Sequence, residues 1–362
     1  MKSRLVGGCF CVMEMWASIG KRYDSCPQDG EGNLMSKNNG ETQSHETWCD
    51  YLRCIAMTMV IALHASGLWL IGSMSSVDWR IANAVNSACR PSVPIFFMLS
   101  GYLLCRGKPM SFLTYARKRI ARIAPAFFLA TGFALIYRQF YIGEHLSIAS
   151  AWQWIYIPQF YHLWFFYTIA FVYVALWVVK PNAIRPITGS IVCFALIFAM
   201  DWRGESFAAF LFYALAGYFL GTAPRSRRAP MLFIPAAVIM LAIVYAETAS
   251  ASNQAGHLDQ TWYRYTSLPV VTASFLLFYS ARNMLSTLSA SAIVERVSFA
   301  SLFVYCAHPF VIDALTREYP KFTEIGAIFG IPILICGSTI LLVIARQLGR
   351  TLFSRRSPSL IT

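Results

Sequence analysis

The stretch CDYLRCIAMTMVIALHASGLWLIG, residues 49–72, is long and apolar enough to cross a lipid bilayer as a helix. It nevertheless carries Arg53 near one end and His64 beyond its middle. These residues are eleven positions apart, which places them on one helix face roughly 16 Å apart. A charged side chain at mid-span costs about 2.5–3.5 kcal/mol on insertion scales, so polar residues inside a bilayer generally mark a functional site.

The whole chain has the composition of a membrane protein. Of its 362 residues, 57% are hydrophobic and only 13% are charged, whereas soluble domains carry about a quarter charged residues. The predicted fold class is an all-α polytopic membrane protein surrounded by membrane lipids, with about ten transmembrane helices. The predicted spans are 50–72, 82–105, 119–139, 161–180, 186–201, 205–222, 229–248, 266–281, 296–315 and 324–347.

The basic residues predict the orientation of these spans. With the N-terminus and C-terminus both cytoplasmic, sixteen Lys and Arg residues fall in cytoplasmic loops and the tail, and six fall in the opposite loops. This asymmetry accounts for the net charge of +13, so nucleic acid is not an expected partner.

Three regions are expected along the chain. Residues 1–46 are polar and lack an apolar period, which predicts a disordered N-terminal extension, and Met35 is an alternative start. Residues 47–348 form the membrane domain, and residues 349–362 form a basic cytoplasmic tail.

A second polar group lies in SFASLFVYCAHPFVIDAL, residues 298–315. Ser301, Tyr305 and His308 share a helix face, and His308 lies at about the same depth as His64 if both helices start on the same side. The common depth predicts a shared polar chamber. The alternative is that each histidine only ties two helices together by hydrogen bonds.

Three further motifs have a functional and a structural interpretation. In RPSVPIFFMLSGYLLCRGKP, Ser100 and Gly101 allow close helix approach or a kink. In FYHLWFFY, His162 and Trp164 fit an interfacial aromatic belt or a supporting role. In TYARKRIARIAP, a cluster of basic residues fits either a topology anchor or a phosphate-binding site. The cluster comprises Arg117, Lys118, Arg119 and Arg122.

Taken together, these motifs resemble the bacterial membrane acyltransferases of the acyltransferase-3 type. The resemblance covers about residues 47–348 and rests on five segments, DYLRCIAMTMVIALH, SVPIFFMLSGYLL, RKRIARIAP, HLWFFY and SLFVYCAHPFVI. It implies a multi-pass enzyme of the bacterial inner membrane. Such an enzyme would move an acetyl group from cytoplasmic acetyl-CoA, as co-substrate, to a hydroxyl of an envelope glycan or lipid-linked oligosaccharide. No metal is expected.

The motifs and the resemblance together give the candidate site residues. The catalytic candidates are His64, Arg53 and His308, and the donor-binding candidates are Arg117, Arg119 and Arg122. The acceptor-binding or supporting candidates are Asp50, Ser100, His162, Trp164, Ser301 and Tyr305. A neutral imidazole can take the hydroxyl proton, or it can first carry the acetyl group.

Other functions use similar residues. Proton-coupled transporters and flippases also place Arg and His inside the membrane, although the hydropathy pattern shows no inverted repeat. Within the acyltransferase family, a succinyl donor or a peptidoglycan acceptor would fit the same motifs. A sensor or scaffold has no supporting feature.

Overall fold

The computed structural model describes residues 46–107, 110–146, 152–179 and 207–354, which are helical with no strand among them. The helices are α1 (Thr47–Ser66), α2 (Val77–Cys89), α3 (Ser92–Cys105), α4 (Phe112–Tyr137), α5 (Gln153–Tyr156), α6 (Trp164–Val179), α7 (Phe207–Thr222), α8 (Ala229–Ala255), α9 (Leu268–Leu285), α10 (Ala292–Glu318) and α11 (Ala327–Ser354). A π-helical turn, Arg138–Ile142, continues α4. Short 3-10 turns, Tyr161–Leu163, Thr261–Tyr263 and Pro320–Ile325, precede α6, α9 and α11.

The first helix forms the centre of the bundle. It packs against α2, α3, α9, α10 and α11. Ala56, Ile61 and Ala65 are fully buried along its length. Polar side chains of α1 therefore have protein neighbours on most sides, which lowers the free-energy cost of placing Arg53 and His64 inside an apolar bundle.

The predicted span 82–105 is two helices rather than one. Helix α2 begins at Val77, where the Ser76 hydroxyl accepts a hydrogen bond from the Trp79 backbone N–H, and it ends at Cys89. Pro91 precedes α3, and Pro94 lies in its first turn. Proline is tolerated in a first helical turn but has no N–H for a continuous ladder, so the chain breaks and restarts here.

Helices α3 and α7 approach each other through glycines. A Cβ on Gly101 would lie 1.8 Å from the Ala214 carbonyl oxygen, and one on Gly217 would lie 2.1 Å from the Met98 carbonyl oxygen. Only glycine permits backbones to come this close. The predicted close approach at Gly101 is confirmed.

The predicted number of ten spans is not confirmed. Among the described residues, six helical segments are long and apolar enough to cross a membrane, and the shorter α7 is also apolar. Helices α1 and α9 coincide with predicted spans but are not among the six. The predicted span 186–201 lies outside the described residues. Helix α1 ends at Ser66 and is followed by turns, so the predicted span 50–72 was too long.

Candidate active site

A cavity of about 460 Å³ lies between α1, α3, α4, α6 and α10. Its walls include apolar side chains such as Leu99, Ile123 and Phe165. Charged side chains line it at one end of the bundle, which we call the basic end: Glu46, Arg53, Arg106, Arg119 and Arg122. Seven of the residues predicted from sequence line this cavity, namely Asp50, Arg53, Ser100, Arg119, Arg122, Ser301 and Tyr305.

Arg53 is held at the cavity wall by two partners. Its Nη1 donates to Asp50 Oδ1 at 2.9 Å and to the Ser298 hydroxyl at 2.7 Å. The Ser298 hydroxyl in turn donates to Asp50 Oδ1 at 2.6 Å. This triangle joins α1 to α10 and neutralises the Arg53 charge. Ser298 was not predicted, although it extends the Ser301–Tyr305–His308 face by one turn.

The remaining arginines of the cavity differ in whether a carboxylate pairs with them. Arg106 forms an ion pair with Glu46. Within the described ranges, neither Arg119 nor Arg122 forms an ion pair, and both line the cavity. Arg117 is exposed and does not line it. Two positive charges at the basic end are therefore available to an anion.

Glu46 is a cavity residue that sequence reasoning placed in the N-terminal extension. Its carboxylate accepts hydrogen bonds from Tyr102, at 2.5 Å, and from Trp48 and Arg106. Burial alone would raise the pKa of the Glu46 carboxyl, but the hydrogen bonds from Tyr102, Arg106 and Trp48 lower it below its ordinary value. The residue therefore stays ionised and fixes Arg106.

Three histidines meet deeper in the bundle, and we call them the histidine layer: His64, His162 and His308. The ring centroids of His64 and His308 are 5.2 Å apart, and those of His162 and His308 are 6.1 Å apart. His162 and His308 are 1% and 0% exposed, whereas His64 is half-buried. The structure thus brings His64 and His308 together. The burial of His162 does not fit an interfacial belt.

Hydrogen bonds fix the tautomers of two of these histidines. His308 Nδ1 lies 3.0 Å from the Val304 carbonyl oxygen, and His162 Nε2 lies 3.1 Å from the Cys306 carbonyl oxygen. A carbonyl oxygen only accepts, so each of these nitrogens carries a proton. In the neutral ring the other nitrogen, His308 Nε2 or His162 Nδ1, then holds a lone pair. Neither has a hydrogen-bond partner among the described residues.

Tyr305 separates the cavity from the histidine layer. It lines the cavity, and its ring centroid lies 6.0 Å from His308 and 5.7 Å from His162. Its hydroxyl donates to the His162 carbonyl oxygen at 2.6 Å. None of the three histidines lines the cavity, so a group bound there is one tyrosine ring away from an imidazole.

The far end of α1 is held by residues that sequence reasoning missed. Asn86 Nδ2 donates to the Leu63 carbonyl oxygen at 3.0 Å and to the Ser66 hydroxyl at 2.9 Å. Asn86 Oδ1 accepts from Arg90. These contacts hold α1 on both sides of His64.

The other predicted residues have simpler settings. Ser100 lines the cavity but donates to the Phe96 carbonyl oxygen of its own helix at 2.9 Å. Trp164 does not line the cavity, and its ring packs 5.3 Å from Phe210 and 6.4 Å from Tyr265. No group of three or more His, Cys, Asp or Glu side chains within the described residues is arranged to hold a metal ion.

An all-helical bundle with membrane-crossing helices, a basic cavity and buried histidines defines a multi-pass membrane protein with a polar site in its interior. The family model described as an acyltransferase domain of the acyltransferase-3 type matches residues 46–346. The chain therefore belongs to this family and is a membrane acyltransferase. No curated protein and no solved structure matches the chain significantly.

Proposed function

We propose that this acyltransferase moves an acetyl group from cytoplasmic acetyl-CoA to a hydroxyl of a cell-envelope glycan or its lipid-linked precursor. The enzyme would act in the bacterial inner membrane, with both termini in the cytoplasm. The observation that carries the proposal is the cavity itself: two arginines without an ion-pair partner lie at its basic end and Tyr305 lies at its inner end, with the His308 ring centroid 6.0 Å beyond that of Tyr305.

The cavity suits a coenzyme A thioester. The phosphates of the donor would bind Arg119 and Arg122, whose guanidinium groups offer charge-assisted hydrogen bonds to phosphate oxygens. The uncharged pantetheine arm would lie along the apolar walls formed by Leu99, Ile123 and Phe165. The thioester would then approach Tyr305 and the histidine layer.

The reaction needs a base because a sugar hydroxyl is a weak nucleophile. The hydroxyl oxygen forms a bond to the thioester carbonyl carbon, and the carbon–sulfur bond breaks. An imidazole takes the hydroxyl proton and passes it to the departing CoA thiolate. His64 fits this role best because it is the half-buried member of the histidine layer and can be reached by an acceptor. Transfer through an acetyl-imidazole would use the same nitrogen.

A likeness of sequence supports a glycan acceptor. We interpret the segments WRIANAVNSACRPSVPIFFMLSGYL, FYHLWFFYTIAFVY and TWYRYTSLPVV as similar to segments of the O-acetyltransferase that modifies enterobacterial common antigen. An extracellular polysaccharide of that general kind is the acceptor class we propose. Membership of an acyltransferase family favours this function over the transporter that the intramembrane Arg and His also suggested.

The test compares envelope glycans from cells with and without the gene. O-acetyl groups on one glycan are expected to disappear on deletion and to return on complementation. Membranes incubated with labelled acetyl-CoA or succinyl-CoA then identify the donor, and label is expected in glycan only from acetyl-CoA. An unchanged O-acetyl profile, or transfer from succinyl-CoA alone, would contradict the proposal.

A further inference from the structure

A row of aromatic rings leads from His64 to the surface at the end of the bundle opposite the basic end. We call it the aromatic platform: Tyr137, Tyr141, Phe160 and Tyr161. The ring of Tyr161 lies 5.2 Å from His64 and 5.1 Å from Phe160. Phe160 lies 6.1 Å from Tyr137, whose ring stacks on Tyr141 at 4.8 Å. Tyr161 is 55% exposed, Phe160 and Tyr141 are half-buried, and Tyr137 is buried, so an incoming molecule meets the row first at Tyr161.

Carboxylates stand beside these rings. Asp313 Oδ2 accepts from the Tyr137 hydroxyl at 2.7 Å and from Arg317 Nε at 2.8 Å. Glu318 Oε1 accepts from the Tyr141 hydroxyl at 2.9 Å. Both hydrogen bonds to Asp313 fall on one oxygen, so the carboxylate keeps capacity to accept from a ligand hydroxyl.

The backbone at the platform is unusual. Residues Arg138–Ile142 form a π-helical turn that ends at Gly143, which has φ +84°. Single π turns inside helices are rare and concentrate at functional sites. Tyr137 immediately precedes this turn, and Tyr141 lies within it. The basic end lies about 22 Å away along α4, the rise of fifteen residues from Arg122 to Tyr137.

We propose that the aromatic platform, with Asp313 and Glu318, is the binding subsite for the saccharide part of the acceptor. Sugar rings present apolar C–H faces that pack on aromatic rings, and hydroxyls that donate to carboxylates. A saccharide seated on Tyr161 has its hydroxyls next to His64, while the donor enters from the basic end. This proposal rests on the proposed function and names the side from which the acceptor arrives.

An interfacial aromatic belt is the competing explanation for exposed rings at a helix end. Belt residues face lipid and have no link to a reacting group. Trp152 and Tyr156 match that description: they are 63% and 49% exposed and stack on each other at 5.0 Å. They supply matched controls, because they are aromatic residues of the same region and their rings contact no platform ring among the described residues.

The experiment uses the full chain in lipid nanodiscs and fluorescently labelled oligosaccharides released from the host envelope. In Tyr161→Ala the acceptor KM is expected to rise about tenfold, while the acetyl-CoA KM changes less than about twofold. Trp152→Ala should keep the wild-type acceptor KM. Glu318→Gln, remote from His64, should raise it about threefold through one weakened hydrogen bond.

Two results would overturn the subsite. One is a wild-type acceptor KM in both Tyr161→Ala and Glu318→Gln; the other is an equal rise in Trp152→Ala. The proposed function fails separately, if the wild-type protein transfers acetyl groups to no envelope oligosaccharide at all.

Discussion

Arg117, Arg119 and Arg122 lie within two helical turns, but they differ in their position relative to the cavity. Arg119 and Arg122 line the cavity and form no ion pair in the described ranges, whereas Arg117 does not line it. A positive-inside anchor needs only charge near the membrane surface. A phosphate site needs charge at a defined place, and only two of the three residues meet that requirement.

This difference predicts the outcome of a paired substitution. Arg119→Ala with Arg122→Ala should weaken CoA binding by at least about tenfold, because charge-assisted bonds contribute about 1.5–3 kcal/mol each. Titration calorimetry of CoA against the purified protein measures this. Arg117→Ala with Lys118→Ala also removes two positive charges from this part of α4. This double variant should bind CoA normally. Equal affinity in both double variants would leave the arginines only an anchoring role.

Asn86 is expected to act through His64 rather than on substrate. Asn86→Ala removes the hydrogen bonds to Leu63 and Ser66, so the part of α1 that carries His64 is held less firmly. We expect kcat to fall several-fold while the acetyl-CoA KM is unchanged. The stability cost should be about 1–3 kcal/mol.

Asn283 offers the matched control for that variant. Its side chain also both donates and accepts, to the Tyr279 carbonyl oxygen and from the Ser226 N–H, but at the end of α9. Asn283→Ala should lose comparable stability and keep its kcat. If both variants lose activity only in proportion to stability, Asn86 has no positioning role.

The helical elements show what sequence can and cannot predict. Apolar runs predicted most helices, because a bilayer demands long apolar segments. They did not reveal the break before Pro91, since α2 and α3 read as one apolar run. Periodicity within one helix placed Ser301, Tyr305 and His308 together. Periodicity could not identify Ser298 as a partner of Arg53. These two residues are 245 positions apart in the sequence, and tertiary packing brings them into contact.

The contact between α3 and α7 gives an element-scale prediction. Gly101→Ala would place a methyl group on the Ala214 backbone and force the helices apart. Overpacking typically costs about 1–3 kcal/mol, and backbone cannot move aside as a side chain can. The apparent Tm in detergent should fall by several degrees.

Gly132 is the control for this substitution, because a Cβ there meets nothing within 4 Å. Gly132→Ala should leave Tm unchanged or raise it slightly, since alanine in a helix is favoured over glycine by about 0.5–1 kcal/mol. A Tm for Gly101→Ala equal to that of Gly132→Ala would show that the two helices are not packed this closely.

At the scale of the whole molecule, the proposed function requires a bundle that is open at both ends. The donor would arrive at the basic end, and the acceptor would arrive at the aromatic platform. With both termini in the cytoplasm, as the distribution of Lys and Arg predicts, the basic end faces the cytoplasm, where acetyl-CoA is made.

Reporter fusions test this orientation. Green fluorescent protein fused after Thr362 should fluoresce, because the fusion stays in the cytoplasm. Alkaline phosphatase inserted after His257, in the loop between α8 and α9, should be active outside. A non-fluorescent fusion at Thr362 together with inactive phosphatase at His257 would mean the opposite orientation and would remove acetyl-CoA as the donor at the basic end.

The central claim is that acyl transfer takes place at His64. The most direct measurement is the O-acetyl content of the envelope glycan in deletion cells complemented with His64→Ala. Loss of general-base assistance typically lowers a rate by about 10²–10⁴-fold, so acetylation should fall to background while the protein level in the membrane matches wild type. His257→Ala, which removes an exposed histidine, should acetylate normally. Near-normal acetylation by His64→Ala would show that this histidine only packs between helices, and the mechanism would be wrong.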